Sequence, residues 1–290
     1  MKTKVGIIGG SGFYNIEGIK NIKAVEVKTP FGNPSDKFVC GELGGTKVVF
    51  LARHGLGHKV LPSEINYRAN IYGMKKLGVE RIISVSACGS LREELKPLDI
   101  VIPDQFLDRT NYGRRMTFFG DGIVAHIQFA EPVCPHLSKA LYDAGRKVGA
   151  SMHLGGVYVN MEGPQFSTKA ESNLYRSWGM DIIGMTNLAE AKLAREAEIC
   201  YATLACITDY DCWRMDEACE TVSLEMILQN LLKNVDVSKN ILKIVLPKLS
   251  RVPRTCGCGL ALKDSIVTQP KFIPAGTKKK LDLIIGKYIK

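Results

Sequence analysis

In "TDYDCW" (208–213), Asp209 and Asp211 stand either side of Tyr210, directly after the apolar run "CYATLACI" (200–207). Residues two apart in an extended chain face the same way, so this spacing presents two carboxylates to one ligand at the lip of a strand. Two solvated turn aspartates are the plainer alternative. A second polar set lies in "LARHGLGHKVLP" (51–62), where Arg53, His54 and His58 follow another apolar run. The planar fork of an arginine suits phosphate oxygens, and a histidine can donate beside it. His54 and His58 are four apart, as metal ligands on a helix would be, but Gly55 and Gly57 between them argue against a helix.

Three further loops carry small or hydroxylated residues. "GIIGGSGFYN" (6–15) lacks the third glycine of a dinucleotide loop, since Asn15 stands in its place. A glycine-rich turn bearing Ser11 can instead offer N–H groups and a hydroxyl to one anion. "SVSACGS" (84–90) adds Ser86, and "GMT" (184–186) adds Thr186. With no Walker motif present, this set fits a free inorganic oxyanion better than a nucleotide's esterified phosphate.

These loops need a frame that brings them together. Apolar strand-like runs at 4–10, 47–53, 81–89, 99–106, 155–161, 181–186 and 200–208 alternate with helical spacing at 62–78, 135–149, 167–179, 188–198 and 221–249. That alternation predicts an α/β layer fold with a central mixed sheet. Each candidate loop sits at or just past the carboxyl end of a strand, where open α/β sheets gather their ligands.

The 290 residues suffice for one large domain, and 46% apolar with 23% charged is the balance of a soluble globular chain. No apolar run reaches the roughly 18 residues of a membrane span. The start "MKTKVGIIGGSG" meets glycines before an apolar signal region can form, so the cytoplasm is the expected compartment. The net charge of +10 is concentrated: residues 271–290 hold six lysines and one aspartate. Its "KKK" (278–280) could touch nucleic acid or acidic lipid, but a solvated tail with amphipathic stretches is expected. Residues 251–290 thus form a basic extension to a catalytic domain at 1–250, with Pro253, Cys256, Gly257 and Gly259 at the break. Of nine cysteines only Cys256 and Cys258 form a motif. A lone C-x-C lacks the second pair a zinc site needs, so no metal is expected. Redox-active, disulfide-forming and incidental roles all stay open.

Taken in order, "GIIGGSG" (6–12), "RHGLGH" (53–58), "NYRANIYGMKKLGV" (66–79), "SACGSLREELKPLDIVIPDQFLDRT" (86–110), "MEGPQFSTKAES" (161–172), "GMTN" (184–187) and "TDYDCW" (208–213) resemble the trimeric purine nucleoside phosphorylase family. The resemblance runs from about residue 4 to 249. It implies a phosphate site at Ser11, Arg53, His54, Ser86, the backbone of Ala87, and Thr186. It implies a ribose contact at Met185 and a purine flanked by Phe166 and Ser167. The 5′-substituent would meet Leu224, Ile227 and Leu228, with His126 supplied by a neighbouring subunit of a homotrimer or dimer of trimers.

The implied partners are a small nucleoside and phosphate as co-substrate, with no nucleic acid, membrane, metal or organic cofactor. The paired carboxylates then acquire roles. Asp209 would carry a proton towards N7 of the departing base and Asp211 would accept from a 6-amino group. An apolar 5′-pocket with this pair implies phosphorolysis of 5′-methylthioadenosine to adenine and 5-methylthioribose 1-phosphate. A phosphorylase of 6-oxopurine or 5′-hydroxyl nucleosides is the alternative, although relatives of that type carry asparagine at the Asp209 position and histidine near Leu224. A non-catalytic purine- or RNA-binding module is the reading from another class.

Overall fold

The protein, described here as a computed structural model, is defined over residues 4–10, 17–111, 113–214 and 224–289, with side chains throughout except over 224–228. Four strands make the centre. β1 (Lys4–Gly9) lies parallel between β4 (Thr46–Ala52) and β5 (Val79–Ser90), and β5 runs parallel to β11 (Cys200–Asp209). All ten residues of β11 are buried, which is why its sequence is apolar almost throughout: both faces of the sheet are covered. An antiparallel hairpin, β2 (Lys20–Val25) and β3 (Phe38–Leu43), extends the β4 edge. β2 is mostly exposed and polar, so no apolar run marks it in the sequence.

The stretch expected as one strand at 99–106 is two. β6 (Ile100–Ile102) pairs with β11, and β7 (Gln105–Arg109) pairs with β9 (Val157–Met161). Pro103 separates them, because a proline cannot donate to a ladder. β8 (Met152–Leu154) completes the β6 edge.

β5 is where the sheet forks. β11 follows its length, while β10 (Ile182–Gly184) pairs antiparallel with its last residues, Gly89 and Ser90. Residues just past β10 therefore lie beside the last part of β5. The carboxyl ends of β1, β4, β5 and β11 open on the same side, and that is where the candidate loops were expected.

Helices cover both faces. α2 (Pro135–Lys147) and α5 (Leu224–Leu249) bury one core with Val5, Ile7, Ile83 and Val85. α1 (Tyr67–Lys76) and α4 (Asn187–Glu196) bury the other with Ile8, Leu51 and Ile82. Alternate residues of β1 and β5 thus feed opposite layers. α3 (Lys169–Ser177) starts at a reciprocal Thr168–Glu171 capping box and buries Tyr175 against Leu91 and Ile183.

The solvated-tail expectation fails. α6 (Ala275–Ile285) places Leu281, Ile284 and Ile285 in the same core as α1 and α4, along with Leu262 and Ile273. Lys280 is tied to Asp121 at 2.7 Å. Residues 251–289 close the molecule rather than trailing from it. Among the described residues no helix is long and apolar enough to cross a membrane.

Candidate active site

A cavity of about 450 Å³ opens at the fork, lined among others by Gly10, Arg53, His54, Ser86, Ala87, Met185, Thr186, Asp209 and Asp211. The fold thus brings together most of the residues singled out in the sequence.

Arg53 follows β4 and is 2% exposed. Its Nε donates to Glu190 Oε1 at 2.5 Å, its Nη1 to the Val85 carbonyl at 3.0 Å, and its Nη2 to Ser84 Oγ at 2.6 Å, with Glu190 Oε2 at 3.3 Å. Glu190 Oε2 also accepts from Ser84 at 2.8 Å and from the Tyr201 hydroxyl at 2.9 Å. Burial alone would lower the arginine's pKa, but the Glu190 carboxylate more than offsets it and holds the guanidinium charged. Of five N–H donors, only the second on Nη1 finds no acceptor among the described residues. Arg53 is a fixed cation in the cavity wall.

His54 follows at once. Its Nδ1 lies 2.8 Å from the Val60 carbonyl, so Nδ1 carries the hydrogen and donates. Burial, with the Arg53 charge adding to it, pushes its pKa down to about 4, so the ring is neutral and Nε2 is an acceptor. Towards a ligand, Nε2 therefore accepts a hydrogen bond where a donor was expected. His58 stacks on it at 4.2 Å.

Thr186 is the residue before α4, and its hydroxyl makes no capping bond; it reaches Asn187 Oδ1 at 3.1 Å. The start of α4 therefore faces the cavity through Thr186, and a helix N-terminus favours an anion. Ser86 and Ala87 lie on the same stretch of β5 and pair with Ala205 and Cys206 of β11.

The carboxylate pair is built differently from the expectation. β11 ends at Asp209 after a register shift, and Asp211 lies beyond it with a left-handed φ of 53°. Strand alternation does not align them. Asp209 Oδ1 accepts the backbone N–H of Asp211 at 2.8 Å, and this short turn folds both acids into the cavity wall. Thr208 donates to Asp209 Oδ2 at 2.7 Å. A side chain at Gly89 would bring Cβ within 3.0 Å of Asp209 Oδ1 and 3.3 Å of the Asp211 Cβ, so the packing needs glycine there. Burial pushes both carboxyls above the usual range, and each is 7% exposed.

Met185 and Phe166 line the cavity, Phe166 as an exposed ring at 59%. Ser167 is buried next to the pair, its carbonyl accepting from Cys212 at 3.2 Å. Ser11 lies outside the described residues, as do the side chains of Leu224, Ile227 and Leu228. His126 is exposed and takes no part in lining the cavity; its backbone is held by Ser265.

Sequence reasoning missed Glu190, Ser84 and Tyr201 behind Arg53, and Leu231 and Val235 of α5, which add apolar wall. It also missed Arg114, whose guanidinium donates to the carbonyls of Met185 and Glu162 and to Glu162 Oε1 at 3.1 Å, holding the loops after β9 and β10. The signal for Leu231 and Val235 was available: they continue the spacing of Leu224, Ile227 and Leu228 along one helix.

Residues 4–247 match the model of the phosphorylase superfamily. The chain is 58% identical to S-methyl-5′-thioadenosine phosphorylase of Geobacter sulfurreducens, covering all of both chains, and 56% identical to that of Thermosynechococcus vestitus, again over all of both. Its fold is similar to a methylthioadenosine phosphorylase from an antarctic soil metagenomic library, at a TM-score of 0.91 and 48% identity over 98% of this chain and 99% of that one. It is also similar to the Schistosoma mansoni enzyme in complex with adenine, at 0.87 and 38% identity over 92% of this chain and 100% of that one. With the likeness running the length of the chain, it belongs to the phosphorylase superfamily and, within it, to the S-methyl-5′-thioadenosine phosphorylases.

Proposed function

We propose that the chain catalyses phosphorolysis of 5′-methylthioadenosine, giving adenine and 5-methylthioribose 1-phosphate. The carrying observation is one cavity with a fixed cation and a helix start for phosphate, together with two buried carboxyls for a purine. Relatives of the same name at up to 58% identity support it.

Phosphate sits against the free Nη1 donor of Arg53, the hydroxyls of Ser86 and Thr186, the Ala87 N–H and, from the family resemblance, Ser11. Because His54 Nε2 is an acceptor, it pairs with the phosphate's own O–H. A phosphate oxygen attacks C1′ as the C1′–N9 bond breaks, and the bonding electrons pass into the purine. Asp209, whose burial favours the protonated acid, delivers a proton at N7 and relieves that charge. The phosphate keeps its own proton, hydrogen-bonded to His54 Nε2, through the transfer; the sugar phosphate sheds it to solvent on release, and Asp209 regains the proton it gave up. Asp211 accepts from the 6-amino group, Met185 lies against the ribose, and Phe166 with Ser167 borders the base. Leu231 and Val235 extend the apolar wall to the 5′-methylthio group, with Leu224, Ile227 and Leu228 at the same helical spacing. Phosphate supplies the nucleophile, so the reaction as drawn uses neither metal nor organic cofactor.

The proposal includes assembly as a homotrimer or dimer of trimers, since exposed His126 is free to enter a neighbour's cavity. Adenine release from 5′-methylthioadenosine, followed with and without phosphate, tests the reaction; release independent of phosphate refutes it. Sedimentation of the pure protein as a monomer would remove the role given to His126.

A further inference from the structure

Away from this cavity, four thiols meet. Cys134 stands at the N-terminus of α2, Cys200 opens β11, and Cys256 and Cys258 belong to the short 3-10 turn at 257–260 and the residue before it. Their sulfurs all lie within 4.8 Å of one another, and Cys200 and Cys256 are 3.4 Å apart. All four are free thiols, and only Cys256 is partly exposed. The C-x-C motif supplies two ligands; the second pair, absent from its sequence neighbourhood, arrives from two other elements of the fold.

Tetrahedral zinc at ~2.3 Å from each sulfur sets the sulfurs ~3.8 Å apart. The 4.8 Å limit on the four sulfurs, with one pair at 3.4 Å, brackets that separation. We propose that Cys134, Cys200, Cys256 and Cys258 form a structural tetrathiolate site for a divalent ion of zinc's chemistry, tying the C-terminal segment to the starts of α2 and β11.

The surroundings suit the charge. Four thiolates and a divalent ion carry two net negative charges, which burial penalises unless they are balanced. Arg81 is buried with its Nη1 unpartnered, and it lines a 170 Å³ cavity together with Cys134, Cys200, Cys256, Arg254 and Lys248. The N-terminus of α2 at Cys134 adds its own positive end. Entry of the ion expels the thiol protons to solvent.

The test uses the whole chain, purified with a non-thiol reductant, stripped by a chelator and titrated with Co²⁺. The expected result is an intense sulfur-to-cobalt charge-transfer band with tetrahedral ligand-field bands, saturating at one ion per chain and abolished by Zn²⁺. Zinc should also raise Tm. The C256S/C258S double variant should lose both effects while phosphorolysis, which uses neither residue, persists. If that variant does not fold, the wild-type cobalt spectrum decides. Octahedral cobalt, no saturable binding, or zinc uptake retained in the double variant would overturn the site. So would recovery of disulfides among these cysteines from cells alkylated at lysis, because the sulfurs would then be bonded to each other.

Discussion

Arg53 directs four of its five N–H groups into the protein, and this changes what a substitution there reports. Arg53→Ala removes the phosphate donor but also strands Glu190, a buried carboxylate, at a cost of about 3–5 kcal/mol. Arg53→Lys keeps the charge near Glu190 and loses the fork. It should leave the chain folded while the phosphate KM rises, roughly ten- to a hundredfold for a charge-assisted bond of about 1.5–3 kcal/mol. An unaltered phosphate KM in the folded lysine variant would place phosphate elsewhere. The carboxylates allow a sharper test. Asp209→Asn cannot deliver a proton, so adenine release from 5′-methylthioadenosine and adenosine should fall steeply. Turnover of inosine and its methylthio analogue should hold or rise, because the amide N–H can donate to O6. Wild-type preference for the inosine pair would contradict the role given to "TDYD". At this scale the polar residues at strand ends were legible, because glycine and polar side chains break an apolar run there. Glu190 was not: in "LAEAKLARE" it looks like one acid on a solvated helix face, yet it is 1% exposed. Nothing local to that segment shows that a cation from residue 53 will meet it.

Among the elements, the central strands were legible and the edges were not. β1, β4, β5 and β11 are buried on both faces and appear as apolar runs, whereas β2 is exposed and β8 has three residues. The amphipathic character of α6 was legible, but not that it packs. Its apolar face is Leu281, Ile284 and Ile285 behind "KKK", too short a stripe to show that a basic segment joins the core. The packing turns this into a prediction. Leu281→Ala removes a side chain at 1% exposure and should cost about 2–5 kcal/mol, read as a drop in denaturation midpoint. Neutralising Lys278 and Lys279 to Gln should stay within about 0.5 kcal/mol. Equal midpoints for Leu281→Ala and wild type would restore the solvated-tail reading. The α4 helix shows the opposite economy: its first residue boundary offers Thr186 to the cavity, its middle holds Glu190 under Arg53, and its last turn carries Glu196. One helix therefore links the anion site to the chain segment at Thr117 and Phe118, which both donate to Glu196 at 2.6 Å.

Across the whole molecule, two buried groups make stability depend on pH in opposite senses. Burial pushes the Glu196 carboxyl up from 4.5 to about 7, only partly countered by its donors Thr117 and Phe118. As pH rises from about 4.5 to about 7 the unfolded chain ionises this acid first, so the folded state loses stability across that window and no further above it. His54 runs the other way, because its value falls from 6.5 to about 4. As pH drops from about 6.5 to about 4 the unfolded chain takes up this proton first, and stability is lost on the acid side. Each effect is on the order of 3 kcal/mol, so in wild type they largely cancel between pH 4.5 and 6.5. Single variants should expose them. Relative to wild type, Glu196→Gln should gain stability progressively as pH climbs towards about 7, whereas His54→Asn should gain as pH falls towards about 4. Urea midpoints of the three proteins across pH 4 to 8 read both slopes at once. Three parallel curves would show that neither group changes its proton affinity on folding, and the burial effect assigned to His54 and Glu196 would fall.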